Sequence, residues 1–561
     1  MKERIPKSRA AFGFALVLTG VHLVLAGLWL AQHELPTGGR DEFFIVEVAT
    51  DIAYRLGEAD WEDLRPLIVE HAYYPPLVRV PAVVALLLGG GYKLLVVSGW
   101  IWLPFLLAGT WSVGRDMARS AWGGAFAVAL LLPCPGLAEG LHHYESNLGA
   151  MAMAACCLAV WLRSEHFQDL RMSLLFGLFL GLGMLSDRLG VLPFVILPMV
   201  ASTWLSPSRR KSGKGLALVL LAVLATAGWW YFGFFGRFAQ EIIPQFFSGE
   251  INRAGDLLEE RPALAWWLLH YVLLWPDSQL GLIGGSVGIL GLGWALHKRR
   301  EGPRAMVLNW ILAGLALFTL SQKRQVYYTL PLLPAAAALG GAFLFGMCHR
   351  YKRRGTVVVV LLVAAMQVPA LLTSSPGLVD IGPSLRSWLL LHQSPLDERV
   401  LGGRFPLGGP PVDTGLDMDA NFEILRRAGV LEGDRIAVFS TPEVQVTEHY
   451  QVILGRIAHG GMGIYGLTVH PEGFLTPEGR PTALLFIHRG SEPWPAADDL
   501  VRAHDSHDEW KENFEPLKDE LESWKSGAEL LIERELADSD RLALWRLAPR
   551  TATLPASENA P

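Results

Sequence analysis

The sequence predicts a polytopic α-helical membrane protein that ends in a small soluble α/β domain. Three observations carry that reading. The 561-residue chain is 51% hydrophobic with a mean hydropathy of +0.30, high for a soluble protein and too long for one ordinary domain. Apolar runs of spanning length recur as far as about Thr373 and then stop. The charge balance turns over at the same place. Residues 1–373 carry 31 Lys+Arg against 24 Asp+Glu (+7), and residues 374–561 carry 17 against 30 (−13). An acidic soluble part without basic tracts gives no footprint for nucleic acid.

In chain order the candidate spans are roughly 11–31, 94–113, 121–140, 146–162, 172–186, 189–205, 215–235, 280–297, 304–320, 328–347 and 356–373, about 11 in all. With the N-terminus (Lys2, Arg4, Lys7, Arg9) in the cytoplasm, the clusters Arg115/Arg119, Arg163/Arg171, Arg209–Lys214, Lys298–Arg304 and Arg350–Arg354 also fall inside. Those cytoplasmic segments hold 20 Lys+Arg and 5 Asp+Glu, whereas the outer ones hold 11 and 19. This is the asymmetry of the positive-inside rule. Eleven crossings then put the acidic tail outside, in an inner (cytoplasmic) membrane protein with a periplasmic C-terminal domain.

Parity has a second consequence. Residues 77–91 are apolar, but a full crossing there would invert every basic loop that follows. They read as an interfacial or re-entrant helix. So does Asp41–Gly57, where Phe44, Val48, Ile52 and Leu56 share one face at i+4 spacing and Asp51 and Arg55 lie on another, able to pair. The first apolar run lacks a small-residue cleavage site and reads as an anchor. Cys134, Cys156, Cys157 and Cys348 all lie in or beside spans, so they read as packing residues and suggest no disulfide or thiolate site.

Polar chemistry concentrates in the outer loops (32–93 and 237–279 are the longest). Arg40-Asp41-Glu42 stands where the first span leaves the bilayer, and Tyr73-Tyr74-Pro75-Pro76-Leu77 closes the same loop. Charges beside a bilayer are costly unless solvated, paired or used. Two acids in a helical first turn also simply suit the helix dipole. Another outer loop carries His142-His143-Tyr144-Glu145, able to bind a sugar or a metal or merely to bond neighbouring loops. Lys323-Arg324 lies at an outer mouth against the charge trend, which favours anion binding over a snorkelling anchor. A divalent metal, if used, would be held by Glu70, His71, His142, His143 or Glu145. None is expected to be obligatory.

The tail reads as a small α/β unit (416–561) after a linker (374–415). Its strands are expected at Arg435–Ser440, Ala483–Arg489, Ala528–Glu535 and Arg541–Leu547, with helices near Asn421–Ala428 and Val444–Ile457.

Taken together, residues 5–373 resemble a known family. The resemblance rests on a first span ending in Asp-Glu and an outer loop ending in Tyr-Pro-Pro-Leu. To these it adds an acidic third-to-fourth-span loop, the glycine-rich Gly177–Leu185, and Lys323-Arg324-Gln325-Val326-Tyr327-Tyr328 running into Leu330-Pro331-Leu332-Leu333-Pro334. The chain is similar to polytopic GT-C glycosyltransferases, in the branch of dolichyl-phosphate-mannose protein mannosyltransferases and aminoarabinose transferases. Two departures stand out. Glu145 occupies a position usually held by Asp, and Ser186-Asp187-Arg188-Leu189-Gly190 replaces the usual Thr-Lys-Gly turn.

The resemblance implies a GT-C-like catalytic domain over residues 1–373. Such a domain moves a sugar from a polyprenyl-phosphate donor to an envelope lipid, glycan or protein on the non-cytoplasmic face, with inversion. An acceptor hydroxyl must lose a proton as it attacks, and a carboxylate general base suits that step. Charge developing on the leaving phosphate must meet cations. Asp41 is the expected base, with Glu42 or Glu145 positioning the acceptor or serving as a second acid. Lys323, Arg324, Arg188 and Tyr327 are expected to hold the donor phosphate. Arg40, His71, Tyr74, His142 and His143 are expected to line the acceptor side. The competing reading is a transporter or flippase of lipid-linked saccharides, against which no inverted repeat or paired broken helices are visible.

Overall fold

A computed structural model describes residues 8–32, 40–57, 64, 68, 74–187, 191–192, 194–196, 198, 212–237, 271–272, 275, 279–297, 302–320, 326–374, 436–440, 464–465, 468–470, 473–475, 482–489, 493–494, 521–535 and 540–547. The chain divides into two compact units, with a boundary between Pro411 and Val412.

The first unit is all helical. Helix α1 (Arg9–Gln32) has 24 residues, about 36 Å at 1.5 Å per residue and enough for a bilayer. Its Phe12, Leu16, Val17, Val21 and Val24 are exposed while Ala11, Ala15, Leu25 and Trp29 are buried, so the outward stripe is apolar, as a lipid-facing surface requires. Helix α2 (Arg40–Gly57) packs against α3 (Val80–Leu87), which a 3-10 turn (Pro76–Val78) introduces. Pro76–Leu87 would span only about 18 Å as helix, too short to cross. Val80, Val84, Leu87 and Leu88 are exposed on it.

The buried face of α2 departs from the expected one. Ile45, Val46, Ala49, Ile52 and Ala53 are buried, whereas Val48 and Leu56 are half-exposed. The stripe is rotated toward the two alanines, whose small side chains let a neighbouring helix approach closely.

Helix α4 (Tyr92–Gly99) runs through a 3-10 turn (Trp100–Trp102) into α5 (Leu103–Ala118), and Lys93–Ala118 is long and apolar enough to span. The expected span 121–140 is broken. Helix α6 (Ala121–Leu131), capped by the Ser120 side chain accepting from Trp122 N at 3.3 Å, bends by 66° into α7 (Pro135–His142). Pro133 and Pro135 remove two backbone donors and disfavour helical backbone in the residues before them, so the break is local chemistry. Helix α8 (Asn147–Arg163) is buried from Leu148 to Trp161, Cys156 and Cys157 included, and occupies the middle of the bundle. It packs against α5 and α9 (Leu170–Ser186), and the chain continues through α10 (Gly213–Val223), which packs on α9, a π turn (Leu224–Gly228), α11 (Trp229–Arg237), α12 (Gly281–His297) and α13 (Gly302–Leu320).

Beyond a 3-10 turn (Val326–Leu332), helical assignment runs unbroken through α14 (Leu333–Ser374), 42 residues. This is two helices folded back on each other. A Cβ at Gly341 would strike the backbone of Gly123 and Ala127, and Gln367 Nε2 donates to Ala129 O at 3.1 Å. In a straight helix residues 341 and 367 would stand about 39 Å apart. They meet α6 two residues apart, so the chain reverses between them. The reversal is at Lys352 (φ 48°, ψ −127°), outside helical space. His22 Nε2 donates to Gln367 Oε1 at 2.6 Å and ties α1 to the returning half.

Among the described residues, five helices are long and apolar enough to cross a membrane with the two arms of α14 counted once, or six if the broken α6–α7 pair is one span. Most of the expected span 189–205 lies outside the described residues.

The second unit contains a five-stranded mixed sheet in the order β2-β1-β5-β7-β6: β1 (Ile436–Ser440), β2 (Ile464–Tyr465), β5 (Ala483–Arg489), β6 (Glu529–Glu535) and β7 (Asp540–Arg546). The β2-β1-β5 pairings are parallel and the β5-β7-β6 pairings antiparallel. In β5 consecutive residues Ala483 to Phe486 are all buried, as in a central strand covered on both faces. Trp494 packs between Phe486 and Trp545, at ring distances of 5.0 and 5.1 Å. A two-stranded hairpin pairs β3 (Thr468–His470) with β4 (Gly473–Leu475). The tail helices expected from the sequence lie outside the described residues.

Candidate functional site

The bundle has two unlike ends. At one, Ala11 of α1 packs with Ala121 and Ala125 of α6, and Arg115 and Arg163 both bond Asp116 (3.0 and 2.7 Å). The reversal of α14, with Arg350, Lys352, Arg353 and Arg354 all exposed, also belongs here, because α14 runs antiparallel to α6 past Gly123. The opposite end is polar and aromatic, with Arg79 buried in it and Lys93 Nζ bonded to Ala31 O at 3.2 Å, and it has no run of cations like 350–354 among the described residues.

That opposite end is organised by residues 135–147. Trp29, on the last turn of α1, stacks on His142 (3.9 Å between ring centres, planes 1° apart) and meets His143 edge-on at 5.7 Å. Trp100 Nε1 donates to Leu141 O at 2.9 Å. Tyr144 reaches into the Pro76–Leu87 segment: its hydroxyl donates to Val78 O (2.5 Å) and accepts from Ala82 N (3.0 Å). The Ala82 N–H lies in the first turn of α3, where no intrahelical partner exists, so Tyr144 caps that helix from a distance. Burial pushes the Tyr144 phenol well up, and it stays neutral. Asn147 Nδ2 donates to Glu145 Oε2 at 2.6 Å. Gly136 lies against Leu330 and Leu333, and buried Gln279 Nε2 donates to Thr329 Oγ1 at 2.8 Å, which brings the 3-10 turn at 326–332 to the same end.

The expected site residues fall as follows. Asp41 and Glu42, with Arg40, form the first turn of α2, whose side chains there lie outside the description; α2 packs on α3, the helix that Tyr144 caps. Glu145 is half-buried, next to Tyr144. Tyr74, His142 and His143 are 2–3% exposed, packed into the structure rather than displayed. Tyr327 belongs to the 3-10 turn at 326–332, with its side chain outside the description. Arg188, Lys323, Arg324, His71 and Glu70 lie outside the described residues. Among the described residues, no group of three His, Cys, Asp or Glu side chains is placed to hold a metal ion.

Sequence reading passed over Trp29, Glu139 and Arg79, all buried at this end. Arg79 carried a usable signal, since a single cation inside an apolar run after Pro-Pro-Leu-Val is expensive unless it has work to do.

These features define a helical bundle with helices long and apolar enough to span a membrane, and the end opposite the 350–354 cluster gathers residues 135–147, the Pro76–Leu87 segment and the 326–332 turn. No family model matches the chain. It is 31% identical over 251 residues to the undecaprenyl phosphate-alpha-4-amino-4-deoxy-L-arabinose arabinosyl transferase of Pseudomonas aeruginosa (strain LESB58), covering 40% of this chain and 42% of that protein. It is 25% identical over 250 residues to arabinosyl transferase 1 of the same description from Sodalis glossinidius, covering 42% and 41%. The matched stretch is thus about two-fifths of these relatives' length. The crystal structure of ArnT from Cupriavidus metallidurans bound to undecaprenyl phosphate superposes with a TM-score of 0.55 at 16% identity, covering 96% of this chain and 98% of that one. The resemblance to the aminoarabinose transferase branch of GT-C proteins therefore holds in sequence over the matched stretch, and the fold is shared along the chain.

Proposed function

We propose that the chain is a membrane glycosyltransferase that moves a sugar from a polyprenyl-phosphate donor to an envelope acceptor on the non-cytoplasmic face. The observation that carries this reading is the sequence match to arabinosyl transferases named for an undecaprenyl phosphate-linked sugar. The gathering of the acid-bearing α2, the Pro76–Leu87 segment, residues 135–147 and the 326–332 turn within the same bundle supports it.

In the proposed reaction an acceptor hydroxyl attacks the anomeric carbon from the face opposite the phosphate. The new C–O bond forms as the bond to the phosphate oxygen breaks, with inversion. The hydroxyl proton passes to a carboxylate, Asp41 in our assignment, with Glu42 or Glu145 orienting the acceptor. The electron pair leaves on the lipid phosphate, whose charge Lys323, Arg324, Arg188 and Tyr327 are proposed to meet. Buried His142, stacked on Trp29, and His143, edge-on to it, are proposed to serve this site by holding the Tyr144–Glu145 loop in place. The first unit is proposed to sit in the inner membrane with its basic end inside and the acidic tail in the periplasm.

The test is transfer in proteoliposomes carrying the purified protein, labelled polyprenyl-phosphate sugars and candidate acceptors, paired with mass spectrometry of envelope glycolipids and glycoproteins with and without the gene. Sugar transfer that persists after EDTA treatment is the expected result. Movement of the lipid-linked saccharide across the bilayer with no transfer would give the flippase reading instead.

A further inference from the structure

Arg79 is 1% exposed, yet its guanidinium is mostly without protein partners. Nη2 donates to the Tyr74 carbonyl at 2.6 Å, while Nε and Nη1 have no hydrogen-bond partner among the described residues. Among the described residues, the titratable groups acting on it are the phenols of Tyr74 and Tyr144, with no carboxylate. Burial pulls the group down to about 10, with the two phenols acting in the opposite sense, so it remains a cation at neutral pH. A buried cation with open donors and no counter-charge is strongly unfavourable by itself.

The backbone that carries Arg79 is held firmly. Pro75 and Pro76 precede it, and the Tyr144 hydroxyl bonds Val78 on one side of it and Ala82 on the other. A fixed guanidinium with free N–H groups suits a phosphate, whose oxygens accept several charge-assisted hydrogen bonds in a plane.

We propose that Arg79 is an anion-binding residue that receives the phosphate group of the lipid-linked donor. The phosphate chemistry follows from the guanidinium alone. Its lipid carrier rests on the transferase reading above.

The test uses the full chain in nanodiscs, as wild type, Arg79→Met and Arg79→Lys, with three probes: undecaprenyl phosphate, undecaprenol and inorganic phosphate. Binding and ligand-free melting temperature are measured. Wild type should prefer undecaprenyl phosphate to undecaprenol by roughly tenfold or more, Arg79→Met should lose that preference, and Arg79→Lys, which keeps charge without the planar fork, should retain part of it. Ligand-free Arg79→Met should melt no lower than wild type, because an uncompensated buried charge has been removed. An undiminished phosphate preference in Arg79→Met overturns the inference and leaves the transferase reading standing. So does ligand-free Arg79→Met melting well below wild type, which would make Arg79 a structural tie to Tyr74. Should Arg79→Met fail to fold, Arg79→Lys decides, and an unchanged preference there overturns the proposal. If wild type ignores the phosphate on undecaprenol but is protected by inorganic phosphate in an Arg79-dependent way, the anion site stands and the lipid-phosphate donor falls. Protection by neither probe overturns both.

Discussion

At the residue scale, the carboxylates of the α2 first turn and the phenol of Tyr144 invite different tests. Asp41→Asn keeps shape and hydrogen bonding but cannot take a proton. Transfer should therefore fall by about 10²–10⁴-fold while donor binding persists, measured as turnover and binding on the same preparation. Glu42→Gln should be milder. If Glu42→Gln is dead and Asp41→Asn active, the two exchange roles, whereas normal turnover in both and in the double variant removes the base from this loop. Tyr144→Phe strips a donor from Val78 O and an acceptor from Ala82 N. Both groups are buried, so the variant should lose about 1–3 kcal/mol of stability, visible as a lower melting temperature in detergent. Melting at the wild-type value would mean that the Pro76–Leu87 segment is held by its apolar contacts alone.

Two of the long helical stretches in this protein are sharply broken. Pro133 and Pro135 divide α6 from α7, and the turn at Lys352 divides α14. The second division has a geometric consequence that cross-linking can read. Gly284 of α12 lies against Met366, and Gly288 of the same helix lies against Gly340. In a cysteine-free background, the pairs Gly284→Cys with Met366→Cys and Gly288→Cys with Gly340→Cys should both be joined by a short bifunctional thiol cross-linker. A straight α14 cannot satisfy both, since residues 340 and 366 would then be about 39 Å apart while 284 and 288 are about 6 Å apart. Cross-linking of one pair only would refute the hairpin.

At the scale of the helical unit, the described clusters of basic residues, Arg115 with Arg163 and those from Arg350 to Arg354, lie at one end, and the polar, aromatic loops, with Arg79 and Lys93 among them, lie at the other. A membrane reads that difference as orientation. Reporter fusions or cysteine labelling should place the N-terminus and the Arg209–Lys214 loop in the cytoplasm and the tail after Ser374 outside. A cytoplasmic tail would overturn the orientation and move the proposed site to the wrong face. The tail's sheet packs its own aromatic cluster, buried Phe486 and Trp494 with half-buried Trp545, as a separately folded unit would.

What the sequence by itself determined was what local chemistry sets. Hydropathy marked most helices, because spanning length and apolar composition are properties of single segments. Alternation and β-branching marked β1, β5, β6 and β7 to within a residue or two. The prolines at 133 and 135 stood in plain view, yet the 66° bend they cause did not follow, since neighbouring helices decide whether such a break kinks gently or turns. The buried face of α2 was read one step off, because an alanine stripe scores as weakly apolar until a partner helix is known to lie on it. His142 and His143 looked available in sequence, and only packing placed them against Trp29. Arg79 reverses that case. It looked like one cation in an apolar loop, and only the tertiary structure, by burying it with no carboxylate acting on it among the described residues, gave it a charge in need of a partner. Burial and counter-charge are properties of contacts between distant segments, so they were decided only when the fold brought residues 74–82 and 144 together.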